Sequence, residues 1–532
     1  MDVRTVAPDR LWEWLHDGEE LVVADVRDGG PFARSHILAA ASVPLAALEV
    51  LAPSMIPRRS TRIVLCDDDG TMSAAAASIL SANGYDDLHI LDGGLAAWES
   101  SGRQVFSGSG IISKAFGELV EHELDTPRIE AAELNEWIVQ GREHVLVDAR
   151  PLAEYRTISL PTGTDCPGAE LVLRVPAIAV DRDVPVVVNC AGRTRSIIGA
   201  QSLRNAGLPN PVFALKNGTM GWQLAGFDSV HGASNMLEEP TGEALEIARR
   251  MAADVAKRHS VRFVSMGELE SMRSDPSRTT YVFDVRQAEA HERGRVPGSI
   301  HAPGGQLVQA TDSYAAVRNA RLVLVDEHGV QAVMTAHWLQ QMGWDVAVLD
   351  DPGGHMTETG PVRTTGFRVP GGDPPTVTAQ TLAAWIADDS CTVLDVGESY
   401  WYREGRIPGS YYAMRTRLRE ALRSLDPRRR TVLVCGDGRL SPYAAADVRT
   451  LGFLDVHVLE GGRAAWRRAG SALERIGEDT DELVLTATDD MWYPPWARKE
   501  GVEEAIMQYL TWETGLLEPV SKETYVRFNV AR

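Results

Sequence analysis

Four times along the 532 residues an apolar run ends at the same kind of position, and the spacing around that position barely changes. The runs are Arg62-Ile-Val-Leu-Cys66, Val186-Val-Val-Asn-Cys190, Leu322-Val-Leu-Val-Asp326 and Val432-Leu-Val-Cys435. An earlier apolar run closes each time on an acidic residue: Asp25, Asp148, Asp284 and Asp395. From that Asp to the loop residue the separations are 41, 42, 42 and 40 residues. Trp98, Trp222 and Trp466 follow their loop residues by 32, 32 and 31, while the third copy has Met356 there. The period exceeds 100 residues, so the repeat unit is a whole domain, not one turn of a solenoid. A chain of this length must divide into several cores in any case.

Continuous Val/Leu/Ile runs predict strands covered on both faces, hence parallel pairing. Helical stretches lie between them, as in Ile197 to Ala206. Gly84, Gly207, Gly343 and Gly452 stand where such helices end, suited to the left-handed conformation just past a C-terminus. The fold class is therefore α/β, four tandem domains, each a mainly parallel sheet flanked by helices on both faces. The domains fall at 1–107, 125–230, 258–367 and 374–475. Residues 231–257 form a helical linker, with a charged helix over 238–257 joining two halves, and Pro370 to Pro375 is a second linker. A C-terminal extension, 476–532, holds Trp492-Tyr-Pro-Pro-Trp496 and a helical pattern from Val502 to Trp512. It reads as a segment packed on another domain, with a partner-binding segment as the alternative.

A net charge of −21 argues against binding to nucleic acid or to anionic membranes, and an anionic substrate needs local positive charge. No apolar stretch reaches membrane-spanning length, and the first residues lack a signal-peptide core. Five cysteines without a Cys-x-x-Cys pair fit reduced thiols in a cytoplasm. The histidines at 36, 301 and 355 show no metal-ligand spacing with Cys, and no phosphate-binding loop follows the Gly-Gly turns, so neither metal nor cofactor is expected.

One loop carries the chemistry: Cys190-Ala191-Gly192-Arg193-Thr194-Arg195-Ser196. The thiolate is the nucleophile, and nearby cations and a helix N-terminus favour it. Arg193 and Arg195 supply the cations, Gly192 eases a tight turn, and Ser196 is placed to cap a helix beginning near it. Inward backbone N–H groups of such a loop make an anion nest. A buried structural cysteine is the bland alternative. Two arginines within five residues are poor neighbours for an inert one.

The chain resembles the rhodanese (sulfurtransferase) superfamily over about 1–475, as four tandem rhodanese-like domains. The resemblance rests on the Asp-Val-Arg strand ends, Gly294-Arg-Val-Pro-Gly-Ser-Ile-His301 and Gly405-Arg-Ile-Pro-Gly-Ser410, the Cys loop, and Leu-x-Gly-Gly-x-x-x-Trp from Leu91 to Trp98 and Leu459 to Trp466. It implies that Cys190 takes the outer sulfur of an anionic donor such as thiosulfate, becomes a persulfide, and passes the sulfur to a thiophilic acceptor. Arg193 and Arg195 would hold the donor and steady the leaving group. Arg150 and Arg174 are further candidates to reach the pocket. The six-residue loop implies sulfur transfer, whereas the related phosphatases carry one residue more. The alternatives are use of mercaptopyruvate or glutathione persulfide as donor, a persulfide- or partner-binding scaffold, and a phosphatase-like enzyme. The partners are a small sulfur donor and a thiol acceptor, with a protein partner left open.

The other loops serve as internal controls. Asp326-Glu-His-Gly-Val-Gln-Ala332 has no sulfur and is expected to be inactive. Cys66 is followed by three aspartates, which disfavour a thiolate and repel an anionic donor. Cys435-Gly-Asp-Gly-Arg-Leu-Ser441 balances one Arg with one Asp, which makes Cys435 the candidate second nucleophile. Cys166 reads as a loop cysteine, with the resolving of a persulfide as its alternative role, and Cys391 as core.

Overall fold

The computed structural model describes residues 3–361, 366–475, 481–495, 498 and 500–531. Trp496, part of the aromatic motif of the extension, lies outside them. Among the described residues stand four five-stranded sheets, each with the same strand order: first, fifth, fourth, second, third. All pairings within them are parallel, as in Val22–Asp25 against Ile63–Cys66 and Val145–Asp148 against Val186–Asn189. The fourth strand is central, so each loop of interest leaves the middle of a sheet at its carboxyl end, where open α/β sheets bind ligands.

The central strands are buried, apart from Arg321 and Arg430 at the starts of those in the third and fourth domains, because both faces are covered. In the fourth domain Leu433 faces a cluster with Leu394 and Ala444, while Val432 and Val434 face another with Leu382, Ile407 and Trp466. That alternation is the two-residue period of a strand read on both sides. Cys391 lies in the second cluster, as expected of a core cysteine. The repeated tryptophans pack the domains: Trp98, Trp222 and Trp466 are buried, each donating its indole N–H to a backbone carbonyl. Gly84, Gly207, Gly343 and Gly452 all take positive φ, between 78° and 99°, at the predicted helix ends.

The four domains form two compact units that do not follow the linear order. One consists of Met1–Leu11, Val22–Gly108 and Arg363–Tyr493, so it combines the first and fourth domains. In it Arg415 forms a two-pronged ion pair with Glu49, and Ser399 donates to Asp490. The other consists of Trp12–Leu21, Ser109–Val362 and Pro494–Arg532, so it combines the second and third domains with the C-terminal helices. The linker helix spans Gly242–Arg258 and buries Ala248, Ala252 and Val255. It therefore sits inside a single unit, which corrects the expectation that it joins two halves. A helix absent from the sequence reading, Ile111–Leu124, packs along the loop helix Thr194–Asn205. The crossing is close: a Cβ on Gly117 would lie 2.8 Å from Thr194 Cγ2, so the position demands glycine. No described helix is long and apolar enough to cross a membrane.

Candidate functional site

The strand Val186–Asn189 ends on an asparagine whose Nδ2 donates to Asp148 Oδ2 at 2.8 Å and to Thr219 Oγ1 at 3.1 Å. The chain then turns through Cys190 to Arg193, and the helix begins at Thr194, earlier than Ser196. The far side of the turn is held by the N–H groups of Thr219 and Met220, which donate to Cys190 O and Ala191 O at 2.8 and 2.9 Å. Gly218 makes that clasp possible, since a Cβ there would meet Cys190 O at 2.4 Å. Gly94 and Gly462 play the same part in the first and fourth domains, which explains the Gly-Gly turns of the repeat.

Cys190 is 2% exposed, with Sγ 3.5 Å from Ser196 Oγ. Ser196 gives its own hydroxyl hydrogen to Arg193 O at 2.8 Å. Its position is therefore beside the sulfur, inside the first turn, and not the capping role expected of it. Burial pushes the Cys190 thiol above its usual range, Arg195 and the Ser196 hydroxyl and N–H pull it down, and Glu513 pushes it up again. The expectation of a thiol depressed by its arginines is thus reversed in this closed arrangement, where desolvation dominates.

The arginines divide their work. Arg195 forms a two-pronged pair with Glu154 at 2.8 Å on both contacts and reaches Gln306 at 3.1 Å. It leads the charges that favour a Cys190 thiolate. Arg193 turns to Glu118 and Glu121 on the helix Ile111–Leu124, with Nε 2.6 Å from Glu118 Oε1. It anchors the loop. Arg150, 2% exposed, grips Asp148 through Nε and Nη2 at 2.8 and 2.7 Å. Arg27–Asp25 and Arg286–Asp284 repeat that clamp, and Arg463 replaces it beside Asp395 at 3.3 Å. Arg174 is held by Glu170 at 2.8 Å and has Cys166, not Cys190, as its thiol neighbour. Arg150 and Arg174 are therefore placed as structural clamps. Ala191 and Gly192 are buried in the turn, and Gly192 keeps an ordinary φ, so its use is not conformational.

Beside the loop a cleft of about 410 Å³ lies between the second and third domains, lined by Thr194, Arg195, Ile198, Val308, Met334 and Trp338 among others. No cluster of three or more metal-binding side chains occurs among the described residues.

In two other domains a carboxylate fills the loop. Asp326 accepts the N–H groups of Gly329, Val330 and Gln331 at 3.0, 2.8 and 2.9 Å. In the first domain Asp67 accepts from Gly70, Met72 and Ser73 N–H and from the Ser73 hydroxyl, at 2.8 to 3.2 Å. Both loops are anion nests already occupied by their own side chains. Cys66 is pushed well up by burial and then by Asp25. In the fourth domain Cys435 has Ser441 Oγ at 3.6 Å, but Arg439 pairs with Asp437 at the surface. Burial raises the Cys435 thiol, the Ser441 contacts lower it, and Asp437 raises it.

Sequence reasoning missed two groups at Cys190. Glu118 and Glu121 come from the helix before the domain, and Glu513 from the tail helix Val502–Thr514, where its Oε1 accepts from Thr194 Oγ1 at 2.8 Å. The acidic pair lies between the first two predicted domains, in a stretch with no predicted element. Glu513 carries no sequence signal that ties it to a loop some 319 residues away.

Four α/β domains of one topology, with a cysteine at the central strand's end in three of them, define a class. The Rhodanese-like domain family matches at residues 7–101, 130–225, 265–351 and 378–469, and the chain belongs to that family. A crystal structure of a thiosulfate sulfurtransferase from Pseudomonas aeruginosa is 42% identical, covers 100% of both chains and superimposes with a TM-score of 0.90. Thiosulfate sulfurtransferase GlpE of Pseudoalteromonas translucida is 32% identical over 87 residues, 16% of this chain and 81% of that protein. The probable adenylyltransferase/sulfurtransferase MoeZ of Mycobacterium tuberculosis is 33% identical over 97 residues, 18% of this chain and only 24% of that protein. With the full-length likeness, the chain is a sulfurtransferase.

Proposed function

We propose that this sulfurtransferase works through a persulfide on Cys190. The Cys190 thiolate attacks the outer sulfur of a sulfane donor. The donor's S–S bond breaks, and its electron pair leaves with the donor remainder, sulfite in the case of thiosulfate. An acceptor thiolate then attacks the outer sulfur of the persulfide, and the Cys190 thiolate is restored. The observation that carries this reading is the surroundings of Sγ: Ser196 Oγ at 3.5 Å, the Ser196 N–H, and Arg195 as the leading favourable charge. Thiosulfate, in the name of the full-length relative, is the first donor to try. Mercaptopyruvate and glutathione persulfide follow. Five free cysteines fit a reducing compartment, and we place the reaction in the cytoplasm.

Treatment with donor, then intact mass and peptide mapping, should show a gain of one sulfur, about 32 Da, on the Cys190 peptide. An unmodified Cys190 after turnover with every donor would discard the mechanism. Cys435 as second nucleophile is favoured by Ser441 Oγ at 3.6 Å, the counterpart of Ser196. The first and third domains, their loops filled by Asp67 and Asp326, serve as frame.

Arg195→Gln should move the pH profile of Cys190 alkylation by iodoacetamide to higher pH, because it removes the leading charge that favours the thiolate. It should lower kcat/KM roughly tenfold to a hundredfold. An unshifted profile would show that Arg195 acts only through its pair with Glu154.

A further inference from the structure

The tail helix Val502–Thr514 buries Ala505, Ile506 and Leu510, with Ile506 and Leu510 packed on Met220 just beyond the Cys190 loop. One turn on, the same helix face delivers Glu513 to the loop mouth. Glu513 is 2% exposed. Its Oε1 is satisfied by Thr194, but its Oε2 is buried with no hydrogen-bond partner among the described residues. Such an oxygen is costly to keep and is usually paired, so it marks a place where a hydrogen-bond donor from a ligand is wanted. Oε2 lies 3.2 Å from where a Cβ on Gly192 would sit, with Tyr509 Cε1 at 3.5 Å. A side chain at Gly192 would therefore crowd the tail and push the Glu513 carboxylate by a few tenths of an ångström. Lys114 feels the Glu513 charge but donates to Ser109 O.

The other loops show what a carboxylate does in this setting: Asp67 and Asp326 occupy their nests and leave no seat for an anion. We propose that Glu513 is the donor-selecting residue of the Cys190 site, a fixed carboxylate that disfavours dianionic thiosulfate and favours sulfur carried on a thiol persulfide bearing a cationic, hydrogen-bond-donating group. The proposal rests on the sulfur-transfer reading of Cys190. An ammonium near the persulfide would meet Oε2, whereas a sulfonate head would meet a like charge in a desolvated site.

The test uses the full chain carrying Cys435→Ala, with and without Glu513→Gln, and two donors that differ in charge, dianionic thiosulfate and cysteamine persulfide with its ammonium group. Glutamine keeps an acceptor for Thr194 and removes the charge. The ratio of kcat/KM for thiosulfate to that for cysteamine persulfide should rise roughly tenfold to a hundredfold in the variant. A ratio unchanged within about twofold, with sulfur mapped to Cys190, overturns the proposal. So does an equal fall with both donors, the mark of a purely structural role. If neither form acquires sulfur on Cys190 from either donor, the sulfur-transfer reading itself fails, and this proposal with it.

Discussion

Cys190→Ala should lower sulfur transfer from any donor by about three orders of magnitude or more, while Cys435→Ala leaves most of the rate. The size follows from covalent catalysis: without the sulfur atom there is no persulfide, and only uncatalysed exchange between donor and acceptor remains. The asymmetry follows from the loops. Cys190 has Arg195 among the groups that favour its thiolate, whereas Asp437 beside Cys435 opposes one and Arg439 is turned to Asp437. Sulfite release from thiosulfate and thiol persulfide formation, measured on both variants, decide the matter. Activity that survives Cys190→Ala and vanishes in Cys435→Ala would move the site to the fourth domain. Asp326→Cys empties the nest of its own anion but should still not create a third site, because no arginine lies within that loop and Glu327 stands next to the new thiol.

The repeat, the parallel sheets and the cysteine at the central strand's end were legible because they are written in local pattern and spacing. Val186 to Asn189 is an unbroken apolar run closing on a polar residue, and Gly207 and Gly452 mark helix ends by a backbone conformation that favours glycine. The charges that oppose a thiolate at Cys66 were also legible, since charge follows from residue type. The direction of the shift at Cys190 was not. Desolvation is set by everything that packs around the loop, and part of that packing, Tyr509 and Glu513 against Gly192, comes from a distant helix. The same blindness applies to Arg193, whose guanidinium looked available for a substrate until Glu118 and Glu121 were brought to it by a helix outside the domain. Nor does linear order reveal that the first domain shares a unit with the fourth. Long-range burial, not local propensity, decides each of these points.

Asp165→Asn should stabilise the protein by about 4 kcal/mol at pH 8, and by less than half as much at pH 5. Asp165 pairs in register with Asp148 on the neighbouring strand, is fully buried, and has no hydrogen-bond partner for either carboxyl oxygen among the described residues. Burial, and then the Asp148 charge, raise its pKa from 3.8 to about 7, against weaker opposing pulls from Arg150 and Arg174. The folded value lies above the unfolded one, so the folded state binds this proton more tightly. The stability that this preference contributes is complete below pH 3.8 and is lost as pH rises through about 7. Above that, the wild type must bury an unpaired carboxylate. A near-isosteric neutral amide removes the charge at every pH, so the gain grows with pH up to about 7 and then levels off. Urea unfolding of the two forms at pH 5 and pH 8 measures it. A gain of equal size at both pH values would show that packing, not ionisation, sets the difference. Sulfur labelling of Cys190 should be unaffected, since Asp165 is not among the leading groups that shift the Cys190 thiol. A carboxylate so placed separates the two uses of charge in this domain: Arg195 and Glu513 act on the Cys190 thiol, while Asp148, Arg150 and Asp165 bear on how firmly the sheet beneath it is held.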